Sequence, residues 1–101
     1  ELDRQYDERR RRSTTETRIR SALRPGSPAI VFQPIVNVRT SAVIGAEALA
    51  RFPDASGPER WFADAASVGL GLELELAAIT AALGQLHRIP DGVYLSVNAS
   101  P

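Results

Sequence analysis

The segment GAEALARF, residues 45–52, decides the fold because it has the pattern of a β-strand and places two charges among small and apolar side chains. Side chains alternate between the two faces of a strand, so Glu47, Leu49 and Arg51 share one face and the alanines share the other. Both faces are apolar enough to predict a strand covered on both sides, as in α/β proteins. A carboxylate in such a place needs a partner.

The spacing of the two charges argues against an ion pair between them. Four residues of extended strand span about 13 Å, so Glu47 and Arg51 each require a partner of their own. Two arrangements satisfy the pattern and stay open at this point. In one, a metal ion binds Glu47 and a phosphate binds Arg51. In the other, a basic residue elsewhere neutralises Glu47, and Arg51 lies in water at the end of the strand.

The elements around this strand follow from the hydrophobic period and from breaker residues. RPGSP, residues 24–28, separates a charged segment from the rest, and we place a domain boundary there, between residues 1–24 and 25–101. The predicted elements beyond it are strands 29–38 and 43–52, a helix from Pro58 to Gly69, a helix over 71–88 and a strand over 93–98. The short first turn predicts an antiparallel pair of strands, and the later helical crossover predicts a parallel pair. Apolar residues recur on one face of the second of these helices, at Leu72, Leu76, Ile79, Leu83 and Leu86.

Residues 1–24 predict a charged helix, with eight arginines against five acids. Its larger apolar residues form a stripe that is too thin for a core helix; they are Leu2, Tyr6, Ile19 and Leu23. The segment is therefore either a solvated linker helix or a helix that pairs with a second copy and joins an upstream domain. The run Arg9–Arg12 is a weak signal for nucleic acid or acidic lipid, because acids flank it and no aromatic residue interleaves with it.

Composition excludes several classes of protein. The 101 residues make one small domain or a piece of a larger one. The formal net charge is zero, which argues against a general polyanion binder, and there is no cysteine for a disulfide or a thiolate metal site. No stretch resembles a signal peptide or is apolar enough to span a bilayer, so a cytoplasmic protein is expected.

Two neutral amides lie on the neighbouring predicted strands. Gln33 is inside the first strand, and Asn98 ends the third. Amide oxygens suit coordination of a hard cation, although each residue taken alone is better explained as structural, Gln33 by a hydrogen bond and Asn98 by a cap or turn. In α/β barrels the chemistry gathers at the carboxyl ends of strands, and Glu47 and Asn98 both fall near such ends.

Three motifs together resemble the opening of the EAL domain: VFQPIV (31–36), GAEALARF (45–52) and LSVNASP (95–101), with WFADAASVGLGLELE between the last two. That family hydrolyses the bacterial second messenger cyclic di-GMP to the linear dinucleotide pGpG with the help of metal ions. The resemblance implies an α/β fold, namely the N-terminal part of a TIM-like (β/α)8 barrel whose first strand is antiparallel to the others, preceded by a charged helix.

The resemblance also implies a role for each candidate residue. Glu47 and Asn98 correspond to ligands of Mg²⁺ or Mn²⁺. Gln33, Leu49 and Arg51 correspond to residues that contact cyclic di-GMP, with Arg51 on a phosphate.

The expected partners follow from the same resemblance: cyclic di-GMP, an upstream sensory domain joined through residues 1–24 and a second copy in a homodimer, but no nucleic-acid polymer. The chain holds about three of the eight strands of such a barrel, and the family's remaining acids and its lysine lie on later strands. We therefore expect the chain to be inactive by itself. A non-catalytic receptor for cyclic di-GMP and a truncated fragment that acts in assembly are the alternatives.

Overall fold

Three strands form one mixed sheet in the computed structural model, which describes residues 2–98. The strands are β1 (Ala29–Val36), β2 (Val43–Arg51) and β3 (Tyr94–Ser96), in the spatial order β1-β2-β3, so the strand that carries Glu47 is central. β1 pairs with β2 in the antiparallel sense, and β3 runs parallel to β2. Both predicted pairings are confirmed.

All three strands are shorter than predicted, β2 by a single residue. β1 ends before Asn37, whose side-chain oxygen accepts hydrogen bonds from the backbone N–H groups of Arg39 (2.9 Å) and Thr40 (3.2 Å). This Asx-type turn diverts the backbone, so the prediction that the strand continues to Val38 was wrong. β3 is three residues long, and Asn98 follows it as irregular backbone.

The helices are α1 (Leu2–Ser21), α2 (Pro58–Ser67) and α3 (Gly71–Leu83), followed by one 3₁₀ turn over Leu86–Arg88. Pro58 opens α2, where its missing N–H would have had no partner in any case. The helix predicted over 71–88 is interrupted at Gly84 and is therefore shorter than expected.

The helices α2 and α3 cover one face of the sheet, the face that carries the alanines of β2. Ala46 and Ala48 are buried there. A small cavity of about 90 Å³ lies between β2 and α3 and is bordered by Ala48 on the strand and by Ala78 and Ala82 on the helix. Small side chains on both sides let the helix approach the sheet closely.

Most of the apolar face predicted for this helix points away from this contact, and only Ile79 borders the small cavity. Four of the five residues of that predicted face are at least half exposed: Leu72, Leu76 and Leu83 on α3, and Leu86 in the 3₁₀ turn. The buried residues of α3 are instead Leu74 and Ala82. Close approach to the alanine face of β2 favours the helix side with small residues, and periodicity alone did not reveal this.

The last turn of α1 is part of the hydrophobic core. Ile19 in that turn and Ala22 just after it are buried in one cluster with Trp61, Ala65 and Leu74. The prediction that α1 is too thinly apolar for a core helix is therefore wrong for its last turn, although the boundary near residue 24 stays a prediction.

The earlier turns of α1 are exposed, and no apolar side chain lies between Tyr6 and Ile19. The predictions that fall on Glu1, on the side chain of Leu2 and on residues 99–101 lie outside the described residues. Within residues 2–98, no helix combines the length and the apolar character needed to cross a membrane.

Candidate functional site

The second face of the sheet is not covered by α2 or α3, and we call it the open face. The registers of the two strand pairs define its members, which are Ala29, Val31, Gln33 and Ile35 on β1, Gly45, Glu47, Leu49 and Arg51 on β2, and Tyr94 and Ser96 on β3. Four of the five predicted site residues therefore share this face. The expectation that β2 is covered on both sides is not met by residues 2–98, because the helices lie on the alanine side.

A polar row crosses the open face at its centre. Glu47 is paired with Gln33 on one side and with Ser96 on the other. Neighbouring strands are about 4.8 Å apart, so the three side chains start within roughly 10 Å of each other. Ser96 was not among the predicted site residues. Its place beside Glu47 depends on the register of a parallel pair, which no short turn fixes in the sequence.

Glu47 and Arg51 do not pair with each other. Glu47 is half-buried and makes no hydrogen bond or ion pair with any residue in the described range 2–98. The Arg51 side chain is exposed, and its one hydrogen bond within residues 2–98 goes to the carbonyl of Ala50 at 3.4 Å. Both charged groups are therefore available to a ligand at the open face.

Tyr94 forms an apolar wall beside the polar row. A Cβ atom on Gly45 would lie only 2.5 Å from the Tyr94 ring, so the ring rests directly on the backbone of β2. The row that contains Gly45 and Tyr94 is two residues from the row that contains Glu47. The absent side chain at Gly45 thus lets an aromatic ring lie against the centre of the open face.

Asn98 lies at the edge of the sheet where the parallel strands β2 and β3 both end. It is exposed, two residues beyond the last paired residue, and it borders the small cavity together with Leu49 and Ala50. The structure thus brings Asn98 near Leu49 but not into the polar row of Glu47. The rest of its motif, residues 99–101, lies outside the described range.

The described residues do not make a complete metal site. Glu47 is the only carboxylate on the open face, and residues 2–98 contain no group of three or more histidine, cysteine, aspartate or glutamate side chains placed to hold a metal. Mg²⁺ takes six oxygen ligands in near-octahedral geometry. Glu47 and the neutral oxygens beside it could supply only part of such a shell.

Comparison with known protein families identifies the family to which this chain belongs. The family model of the EAL domain matches residues 16–101. The chain belongs to the EAL domain family. EAL domains bind cyclic di-GMP and are generally metal-dependent, and the match begins inside α1, so it includes the helical turn that carries Ile19.

A relative of this EAL chain is the probable cyclic di-GMP phosphodiesterase PdeI of Escherichia coli (strain K12). The two are 33% identical over 93 aligned residues, which cover 82% of the chain and 12% of PdeI. The chain thus spans a small part of the length of this relative.

A charged cluster lies beside the C-terminal end of β2 in this EAL chain, and the sequence analysis did not predict it. Arg18 of α1 forms ion pairs with Asp54, at 3.3 Å, and with Asp64 of α2. Its guanidinium lies 4.1 Å from the centre of the Trp61 ring, and the Trp61 Nε1–H donates to Asp54 at 2.9 Å. The partners are 36 and 46 residues from Arg18 in sequence, so no local pattern could join them.

The cluster lowers the pKa of Asp54 from 3.8 to about 2, chiefly through hydrogen bonds from Ser56 and Trp61 and less through the charge of Arg18. A carboxylate whose pKa is lower in the folded state stabilises the fold above its unfolded pKa. That stabilisation is lost as the pH falls from about 3.8 to about 2.

We predict that Asp54→Asn lowers the melting temperature at pH 7 and that the gap from the parent protein closes between about pH 4 and pH 2. Thermal unfolding followed by circular dichroism across this range measures the gap. In Ser56→Ala, which removes the largest cause of the shift, the acid-induced loss should move to higher pH. A gap between Asp54→Asn and the parent that stays constant down to pH 2 would contradict the prediction.

Proposed function

We propose that the protein containing this EAL chain is a metal-dependent phosphodiesterase that hydrolyses cyclic di-GMP to pGpG. The open face is the observation that carries the proposal. This chain is a member of the EAL family, and its open face carries Gln33, Glu47, Leu49 and Arg51 on two paired strands. The two charged side chains, Glu47 and Arg51, do not pair with each other. The relative PdeI, itself named as a probable cyclic di-GMP phosphodiesterase, supports the same general function.

The proposed roles follow the chemistry of each side chain. Arg51 binds a phosphate of the dinucleotide, because a guanidinium presents a fork of donors that matches phosphate oxygens. Gln33 offers an amide to the same ligand, and Leu49 gives apolar contact to a base.

Glu47 and Asn98 supply oxygen ligands for Mg²⁺ or Mn²⁺, and the remaining ligands come from parts of the protein outside residues 2–98. When bound, such a metal lowers the pKa of a bound water and stabilises charge on the scissile phosphate. The barrel, the homodimer, the upstream sensory domain and a cytoplasmic location stay predictions.

Binding without hydrolysis is the second candidate function. The observation behind it is that Arg51 is exposed on the open face and can bind a phosphate without a complete metal site beside it. Measuring cyclic di-GMP binding and pGpG production on the same protein, with Mg²⁺ or Mn²⁺, separates the candidates. Binding together with pGpG supports the enzyme, and binding without product supports the receptor. If neither occurs, both candidates are wrong.

We predict that Arg51→Ala weakens cyclic di-GMP binding by about 10- to 100-fold, the usual loss when a hydrogen bond to a charged group is removed. Arg51→Lys should recover only part, because it keeps the charge but not the planar fork. Isothermal titration calorimetry measures both. The matched control is Arg39→Ala, which removes an exposed arginine from the β1–β2 turn at the opposite end of β2. Equal affinity of Arg51→Ala and Arg39→Ala would refute the assignment of Arg51.

A further inference from the structure

Arg18 is held in one orientation by three different groups. One guanidinium nitrogen contacts Asp54 in the loop after β2, and the other contacts Asp64 in α2. The guanidinium carbon between these two nitrogens lies 4.1 Å from the centre of the Trp61 ring. Only 28% of the Arg18 side chain is exposed, so these contacts are shielded from solvent more than those of an ordinary surface arginine.

The contact between Arg18 and Trp61 continues as a stack into the end of β2. The Trp61 and Phe52 rings are nearly parallel, at 9°, with centres 4.6 Å apart. Phe62 closes the stack from the side, with its ring edge-on to Phe52 at 5.9 Å. Arg18, Trp61 and Phe52 thus form a three-layer column, which begins on α1 and ends at the residue after Arg51.

Arg51 and Phe52 are neighbours in the chain, and their side chains leave the strand on opposite sides. Arg51 is on the open face, while Phe52 packs against the hydrophobic core. A displacement of the Phe52 ring therefore moves the peptide that joins it to Arg51. Asp54, three residues after Arg51, is a second point at which Arg18 holds the same segment.

The rest of α1 makes few contacts with the remainder of the domain. Its turns before Arg18 are mostly exposed, and within the described part of α1 they reach α2 by one long hydrogen bond, from Arg12 to the carbonyl of Ser67 at 3.4 Å. A displacement of α1 therefore reaches the domain mainly through the last turn of the helix, where Arg18 and the buried Ile19 lie.

We propose that Arg18 is a positioning residue that couples the position of α1 to the position of Arg51, both through its ion pair with Asp54 and through the Trp61–Phe52 stack. The proposal rests on the proposed function in one respect, because it takes the ligand of Arg51 to be cyclic di-GMP. A change in α1 that moves Arg18 away from Asp54 and Trp61 loosens the segment after β2 and weakens the binding of phosphate by Arg51.

The test uses Arg18→Met, which keeps an unbranched side chain over Trp61 but removes the charge and both ion pairs. The matched control is Arg20→Met, two residues later on α1, where the arginine pairs only with Glu16 across one helical turn, at 3.6 Å, within the described residues. Two quantities are measured below the melting temperature of every variant. They are the cyclic di-GMP affinity and the backbone hydrogen exchange of residues 50–57, with residues 43–47 as the internal reference.

We expect Arg18→Met to weaken affinity about fivefold and to speed exchange of residues 50–57 by a similar factor, while Arg20→Met changes either by less than about twofold. In an Arg51→Ala background the effect of Arg18→Met on affinity should disappear, because the residue through which it acts is gone. A purely structural role would lower the melting temperature without this dependence on Arg51.

Each further outcome decides the proposal. If exchange of residues 50–57 in Arg18→Met matches that in Arg20→Met, the coupling does not exist. If the loss of affinity persists unchanged in the Arg51→Ala background, Arg18 acts by another route and the proposal is wrong. A parent protein that does not bind cyclic di-GMP overturns the proposed function, and the exchange comparison then decides the coupling by itself.

Discussion

Replacing Trp61 with alanine is expected to destabilise the protein by about 3–5 kcal/mol, the usual cost of removing a large aromatic side chain from a core. Trp61 is 1% exposed and stands at the centre of the hydrophobic cluster. The substitution removes its stack on Phe52, its hydrogen bond to Asp54 and the surface on which Arg18 lies. Because small domains are stable by about 5–15 kcal/mol in total, the expected loss is a large fraction of the whole.

Urea unfolding followed by circular dichroism measures the free energy, since Trp61 is the single tryptophan and its fluorescence disappears with it. Trp61→Phe keeps a ring over Phe52 and should cost less, about 1–2 kcal/mol, through lost volume and the lost Nε1–H donor. Leu72→Ala is the control, because that leucine is 66% exposed on α3 and should change stability by less than about 0.5 kcal/mol. Similar losses in Trp61→Ala and Leu72→Ala would show that α1 and α2 do not share the core described above.

Replacing Glu47 with glutamine is expected to reduce hydrolysis of cyclic di-GMP by at least about 100-fold, because even the outer partners of metal ligands cost about 10- to 100-fold when they are changed. Glutamine keeps the size of the side chain, but it removes the negative charge and replaces one carboxylate oxygen with an NH₂ group that cannot bind a metal. Product formation should fall far more than nucleotide affinity measured in the presence of a chelator, since the proposed role of Glu47 concerns the metal and that of Arg51 concerns the phosphate.

The measurement is the initial rate of pGpG formation over a range of Mg²⁺ and Mn²⁺ concentrations. Glu59→Gln is the matched control, because Glu59 is an exposed acid in the first turn of α2 and lies off the sheet. Glu47→Gln that hydrolyses as fast as Glu59→Gln would remove Glu47 from the proposed metal site. A parent protein that binds but releases no pGpG would favour the receptor instead.

The predicted elements were mostly right in kind and less accurate at their ends. The order of helices and strands and both strand pairings are confirmed, because they depend on period, on breakers and on the length of connections. The ends were misjudged where a single side chain or a backbone break intervenes, as at Asn37 and Gly84. The extent of β3 was overestimated as well, since short edge strands depend on neighbours that local sequence does not specify.

The sequence by itself determined which residues of β2 share one face of the sheet. Strand alternation groups Glu47, Leu49 and Arg51, and it does so wherever the strand is placed, because it is a property of extended backbone. The three motifs pointed in the same way to the family, which the comparison with the EAL domain bears out.

Tertiary structure alone decided what surrounds that face. The register of β3 places Ser96 beside Glu47. Close packing on the alanines of β2 buries Leu74 instead of the leucine stripe. Arg18 pairs with two acids that are distant from it in sequence. Each of these depends on contacts between segments distant in sequence. Their geometry is set by how the elements pack together, and the pattern within any one element does not contain it.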